Sequence, residues 1–249
     1  MADTKGKYLY CVIKEKKPRR FDMFGQKGER VYCISEGNFA LVVSDSEVKE
    51  YPFIREHLIS HQEVIEKVMQ QGYDVLPVRF STVAADSQNL KEKVLQSKKK
   101  ELSETFKTVE GKVELGLRAF WKNMNDIFQE IVAEHKEIQI AKKEAEKNPH
   151  RFKVAQVGEL VAKALEQKRE REERKILGPL KELAVDFKER ERRGDVIITS
   201  SAFLVPKEKE KEFDKRVRLL RDEHGERIQF IYVGPIPPFN FVELELHVL

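Results

Sequence analysis

Apolar and polar residues change period along this chain, and the changes mark its elements. Tyr8-Leu9-Tyr10-Cys11-Val12-Ile13 is a β-rich run closed by Lys14-Glu15-Lys16-Lys17-Pro18. Two more β-rich runs, residues 30–35 and 39–43, flank Gly37-Asn38 and predict a hairpin. From about Ile54 to Gln71 the period lengthens to about 3.6. Ile54, Leu58, Ile65, Val68 and Met69 then share a helical face, with Gly72 as its C-terminal cap. Val75-Leu76-Pro77-Val78-Arg79-Phe80 is apolar but holds a proline, which has no N–H for a ladder, so an edge or bulged strand is predicted. Asp86-Ser87 opens a second helix reaching about Thr108, with Leu90, Val94 and Leu95 on one face. Glu110-Gly111-Lys112 breaks that helix and sets the expected domain boundary.

Beyond it, Val113, Leu115, Leu117, Ala119 and Trp121 alternate as in a half-buried strand. Helical material fills Lys122 to about Leu183, with breaks expected at Asn148-Pro149 and Gly178-Pro179. Within it Val157, Leu160, Val161, Ala164 and Leu165 form one stripe. Strands are expected near Val185-Asp186-Phe187, over residues 196–205 and over residues 227–233; the last two flank a charged helix from Pro206 to His224-Gly225. The order strand, insert, hairpin, helix, strand is βαββαβ, that of a ferredoxin-like unit with an enlarged first crossover. The expected fold class is therefore α+β with two domains. An N-terminal α+β domain covers 1–110, and a ferredoxin-like domain covers 111–233 with its helical insert at about 122–183. A C-terminal tail, 234–249, is expected to dock between them.

Composition narrows the class. Of 249 residues, 47 are Lys or Arg and 43 are Asp or Glu, so 36% are charged while the formal net charge is only +4. No run approaches the ~20 consecutive apolar residues of a membrane span, and the stretch Met1 to Lys7 has no apolar signal core. Two cysteines, Cys11 and Cys33, are too few for a disulfide scaffold and fit a reducing cytoplasm. Residues 142–175 hold eleven basic and seven acidic side chains, a surplus equal to the net charge of the whole chain. The densest part, Lys168 to Lys175, is charged at all eight positions with both signs mixed, which reads as a solvated helical projection rather than a phosphate-binding surface.

Chemical motifs are sparse. The chain lacks the glycine patterns of dinucleotide and P-loop sites and the Gly-x-Ser-x-Gly elbow. His57 and His61 lie one helical turn apart and would share a face, but Leu58 stands where a metalloprotease carries Glu, and no third ligand follows. A hydrogen-bonded core histidine is the preferred reading of His61, and no metal, cofactor or catalytic residue is assigned. Cys11 and Cys33 read as small buried hydrophobes. The last strand lacks the glycine-and-aromatic pattern of an RNA-binding sheet. In the tail, Pro235, Pro237 and Pro238 hold the backbone extended, and Ile236, Phe239 and Phe241 supply apolar anchors. Gly234, Pro235, Pro237, Pro238, Phe239 and Phe241 are the candidate contact residues, made within the chain or, alternatively, by an arm inserted into a partner.

Several of these segments together resemble the gas vesicle proteins of the F/L type, nearest the F type. They are Gly6-Lys7-Tyr8-Leu9-Tyr10, the His61 helix, residues 75–83, residues 113–121, Ala202-Phe203-Leu204-Val205 and the closing residues 232–242. The position after Phe80, often glycine in that family, is Ser81. The resemblance implies a non-enzymatic accessory protein of gas vesicles, the hollow protein-walled buoyancy organelles, within the cytoplasm. Its implied partners are the small hydrophobic main shell protein, met during nucleation and growth, and other gas vesicle accessory proteins. Nucleic acid and membrane are not expected partners, and a monomer is expected in isolation. A permanent place in the vesicle wall is the alternative, with an RNA-binding module or a metal-dependent enzyme further behind. The physics is compatible: a shell subunit facing gas exposes a broad apolar surface that aggregates in water, and a partner covering that face suppresses aggregation.

Overall fold

In the computed structural model, which describes residues 5–246, backbone hydrogen bonds gather the strands into two sheets and make the chain mixed α/β. It divides into two units, residues 1–114 with 235–249, and residues 115–234. The expected boundary lay at Gly111 with a separate tail; the observed division falls after Glu114 and assigns the tail to the first unit. Residues 247–249 of that tail lie outside the described residues.

The sheet of the first unit contains β1 (Gly6–Ile13), β2 (Arg20–Phe24), β3 (Arg30–Glu36), β4 (Phe39–Ser46), β5 (Val75–Pro77) and β6 (Val83–Ala84). Its order is β2-β3-β4-β1-β5, with β6 also paired to β1. The hairpin at Gly37-Asn38 forms as expected, with Glu36 opposite Phe39 and Gly37 at φ 64°, a conformation glycine adopts without strain. Strand β5 takes the edge its proline requires. β2 escaped the sequence reading, because its alternation spans only five residues beside a charged tract. β1 is buried at all eight positions. A bulge between Leu9 and Cys11 shifts its alternation, so Tyr8, Tyr10, Cys11 and Ile13 join one core cluster with β3, β4 and α1 (Arg55–Gln70).

The buried stripe of α1 is His61, Val64, Ile65 and Val68, spaced i, i+3, i+4, i+7. The expected core positions Ile54 and Leu58 are exposed, because the helix turns its histidine inward instead. The second helix was read as continuous. It is instead α2 (Ser87–Leu90), a π-helical turn over Lys91–Gln96 and, after a break at Ser97-Lys98, α3 (Lys99–Val109). Phe106 of α3 stacks on Phe39 of β4 at 5.4 Å.

The second unit carries most of β7 (Lys112–Trp121, whose first three residues belong to the first unit), α4 (Met124–Glu134), α5 (Lys136–Lys147), α6 (Arg151–Lys181), β8 (Asp186–Glu189), β9 (Ile197–Pro206), α7 (Glu210–His224) and β10 (Ile228–Ile236, whose last two residues belong to the first unit). The sheet order is β10-β7-β9-β8. The alternating residues 113, 115, 117, 119 and 121 of β7 are all buried. Two details of the helical insert differ from expectation. Helix α6 runs through Gly178-Pro179 to Lys181: Pro179 forgoes one hydrogen bond of the helix, and the burial of Ile176, Leu177 and Leu180 offsets that loss. An unforeseen break falls at His135, where Gln139 Nε2 donates to the carbonyls of Val132 (2.8 Å) and Ala133 (3.1 Å) that α4 leaves free.

The charge run is corrected as well. Lys168 is only 5% exposed, held by Glu130 (3.0 Å) and Glu134 (2.7 Å) of α4, and Glu172 is buried beside Arg227 at 3.7 Å. The run thus has an inward face that ties α6 to α4, and only Glu170, Arg171, Arg174 and Lys175 are fully at the surface.

Ser81 gives the first testable consequence. It sits at φ 67°, the left-handed conformation that suits glycine, and its Oγ accepts the Tyr51 N–H at 2.7 Å. Ser81→Gly relieves about 1 kcal/mol of backbone strain and loses a hydrogen bond of similar worth, so its stability should stay within about 1 kcal/mol of the parent. Ser81→Ala keeps the strain and loses the acceptor, and should cost about 1–2 kcal/mol. Urea unfolding of the three proteins checks the order, and an alanine variant as stable as the parent would refute it.

Candidate functional site

The polar side chains of the first unit are assembled around β1. His61 Nε2 lies 3.1 Å from the Val78 carbonyl, which only accepts, so the ring donates from Nε2 and its bare Nδ1 accepts from the Tyr8 hydroxyl at 3.1 Å. Tyr8 in turn accepts the Ser81 N–H at 3.1 Å. Two residues on, the Tyr10 hydroxyl accepts the Gln26 N–H at 2.7 Å and shares a hydrogen bond with Ser44 Oγ at 2.9 Å. Gln26, fully buried, clamps the other histidine: its Oε1 accepts from His57 Nδ1 at 2.9 Å and its Nε2 donates to the His57 carbonyl at 2.7 Å. Both ring nitrogens of His61 and Nδ1 of His57 are therefore taken by protein partners, and no group of three metal-ligating side chains occurs among the described residues. Burial lowers the His61 pKa to about 4, against the partial compensation of the Val78 bond, so the ring is neutral at pH 7.

A second buried group on β1 is Lys7, whose side chain is 2% exposed and 2.9 Å from Asp45, with the Tyr32 hydroxyl donating to the same carboxylate at 2.8 Å. Burial pushes the Asp45 pKa up, but the bonds from Lys7 and Tyr32 outweigh it and hold the carboxyl below its usual range. Cys11 and Cys33 are free and buried, and burial raises both thiol pKa values away from the reactive range. These groups spend their polarity on the architecture around them.

The tail candidates divide into two groups. Gly234 and Pro235 are exposed at the end of β10, while Pro237 and Pro238 are buried, Phe241 is half-buried and Phe239 is 38% exposed. Phe241 and Val242 donate their N–H groups to the Pro238 carbonyl at 3.0 and 3.1 Å, which curls the segment. The residue that fastens it was missed from sequence. Asn240 donates its N–H to Glu114 Oε2 at 2.8 Å and its side-chain amide to Glu114 Oε1, and Glu114 is fully buried. Lys98 Nζ also donates to the Glu245 carbonyl at 2.5 Å. The available signal was a carboxylate inside an apolar strand, Val113-Glu114-Leu115, which must find donors when buried. Elsewhere on the first unit, Phe53 is 71% exposed and packs at a tilt against Phe80 at 5.0 Å, beside an open cleft of about 680 Å³ that Tyr51, Pro52 and Leu246 also line.

This geometry defines a mixed α/β protein of two units, with internally satisfied polar networks and patches of exposed apolar surface. Comparison with known proteins gives the class a family. The family model described as "Gas vesicle synthesis protein GvpL/GvpF" matches residues 6–243, and the chain belongs to that family. Gas vesicle protein F of Nostoc sp. (strain PCC 7120) is 26% identical over 243 residues, covering 97% of this chain and 99% of that one. Gas vesicle protein F of Haloferax mediterranei is 22% identical over 242 residues, covering 96% of this chain and 94% of that one. The crystal structure of GvpF from Anabaena sp. PCC7120 superposes with a TM-score of 0.88 at 25% identity, covering 97% of this chain and 99% of that chain. GvpF from Microcystis aeruginosa shares the fold with a TM-score of 0.82 at 24% identity, covering 96% and 99%.

Two measurements test the networks. A histidine neutral in the fold and charged when unfolded contributes stability that is complete above about pH 6.5 and lost as pH falls toward 4, about 3 kcal/mol over that window. His61→Phe should cost about 2 kcal/mol at pH 7, where it strands the Tyr8 hydroxyl and the Val78 carbonyl, and its deficit should shrink at pH 4.5. An equal deficit at both pH values would mean that His61 is not held neutral. For the tail, Asn240→Ala removes two donors from a buried carboxylate and should cost about 2 kcal/mol. Asn240→Asp sets a second carboxylate beside Glu114 and should cost more at pH 7 than at pH 5, as thermal unfolding will show.

Proposed function

We propose that this chain is a non-enzymatic accessory protein of gas vesicles that binds the small hydrophobic shell protein during nucleation and growth and limits its aggregation. The observation that carries the reading is the end-to-end family match, residues 6–243, together with full-length relatives that are gas vesicle protein F. Exposed apolar side chains such as Phe53 and Phe152 are compatible with a partner that covers apolar surface, and a dense mixed charge elsewhere keeps such a complex in water. We read the second unit as ferredoxin-like with a helical insert; the element order β7, helices, β8, β9, α7, β10 and the sheet order β10-β7-β9-β8 support it. We read Gly234, Pro235, Pro237, Pro238, Phe239 and Phe241 as an intramolecular anchor rather than a free arm, on the strength of the Asn240–Glu114 bonds. The working location is the gas vesicle, within the cytoplasm.

Co-expression with the shell protein tests the proposal. Soluble shell protein should rise, and an affinity tag on this chain should bring it down. If neither solubility nor co-purification changes, the binding role is wrong. Washing intact vesicles then separates an assembly factor from a wall component: the assembly reading expects the protein to be absent or released by high salt, and retention would favour the wall.

A further inference from the structure

Among the described residues the two sheets present five outer strands, and four of them are protected against pairing. Strand β2 carries Arg20 and Asp22; β5 is three residues long and ends in Pro77; β6 is only two residues long; and β8 has Asp186, Lys188 and Glu189 among its four residues. Short length, proline and charge are the usual means of keeping a sheet edge from recruiting another strand. β10 has none of them over Ile228-Gln229-Phe230-Ile231-Tyr232-Val233-Gly234. It is an outer strand, bonded to β7 on one side with no strand on the other among the described residues. Ile231 is 42% and Val233 50% exposed. It also opens the longest charge-free run of the chain, the fifteen residues 228–242, in a protein that is 36% charged.

The strand is held ready rather than loose. Its Tyr232 hydroxyl donates to Asp214 of α7 at 2.5 Å, and the Tyr232 ring stacks on Phe213 at 6.1 Å. Such anchoring removes much of the ordering entropy that an added strand would otherwise cost. Pro235 ends the usable ladder after Gly234.

We infer that the outer edge of β10 is the docking site for an extended, uncharged segment of the shell protein, which adds to the sheet as a fifth strand. The inference rests on the shell-binding function proposed above and names where and how that binding occurs. Charge selects the occupant. A partner strand bearing Lys, Arg, Asp or Glu beside Ile231 and Val233 would lose hydration and find no counter-charge on β10, whereas an apolar strand loses nothing. Backbone N–H and C=O groups then supply affinity, and alternate apolar side chains supply selectivity.

The test uses the full chain with Ile231→Lys and Val233→Lys combined, positions exposed enough to accept lysine without unfolding. Leu219→Lys, on exposed helix α7, is the charge control. The shell protein is co-expressed with each. Capture by parent and control, with about tenfold less by the edge variant, supports the inference, as does new amide-exchange protection over residues 228–234 in the complex. Equal capture by all three overturns the edge while leaving the shell-binding function intact. No capture by the parent overturns both. A parent that sediments as a dimer on its own, and a monomeric edge variant, would assign the edge to a second copy of this chain and overturn the inference.

Discussion

Strand β1 is buried along its whole length, and that one constraint organises the first unit. A strand covered on both faces is ordinarily all aliphatic. β1 instead carries Lys7, Tyr8 and Tyr10, whose polar tips have no route to water. Each unmet polar group in such an interior costs about 1–3 kcal/mol, so each tip requires a partner from elsewhere in the chain. Asp45, itself held by the Tyr32 hydroxyl, answers Lys7, His61 and the Ser81 N–H answer Tyr8, and Ser44 and the Gln26 N–H answer Tyr10. Those demands fix α1 by its histidine, force Ser81 into a left-handed conformation and fold the Gln26 turn against the sheet. The bulge between Leu9 and Cys11 serves the same end, because it brings Tyr8, Tyr10 and Cys11 into one cluster.

The second unit meets a similar demand with charge. Lys168 is buried among Glu130 and Glu134, and Arg227 bridges Glu130 at 2.7 Å and Glu172 at 3.7 Å. An ammonium this buried would be unfavourable alone; two carboxylates from α4 offset its lost hydration. Because both carboxylates project from one helix and the lysine from another, the pairing sets how α6 lies on α4. This role in specifying register, rather than any large gain in stability, is the sound reading of such pairs.

These two cases also mark what was legible in the amino-acid order. Strands and helices with clear periodicity, β1, β4, β7, β9 and the body of α1, were readable because burial imposes their pattern locally. The family was readable too, from motifs spread along the whole chain. Ile54 and Leu58 were misplaced because a polar residue, His61, holds a core position of α1, and periodicity counts only apolar ones. The face of Lys168 and Glu172 was misplaced because a charged run looks solvated until its distant partners, Glu130 and Glu134 on α4 for the lysine and Arg227 for the glutamate, are known. Glu114 was overlooked for the same reason: its donors on Asn240 lie 126 positions on. Long-range polar pairing leaves no local period, and it decides most of the side chains that matter here.

The charge-free run over residues 228–242 shows how one compositional feature acquires two structures. Its first part is extended and bonded into a sheet along one edge, where exposed Ile231 and Val233 lie in water. Its second part cannot continue that ladder, since Pro235, Pro237 and Pro238 have no N–H to donate. The chain instead curls at Pro238 and is fastened by two hydrogen bonds from Asn240 to a buried carboxylate. Hydrophobicity alone does not separate these outcomes, since Ile231 and Val233 are as apolar as the buried Val242. Donor supply does. Where backbone N–H groups are available the segment is strand, and where proline removes them a side-chain amide takes over the anchoring. A segment so free of charge would be an aggregation hazard if it ran on as one long exposed strand. The prolines confine the pairing-competent edge to about seven residues, long enough to receive one strand.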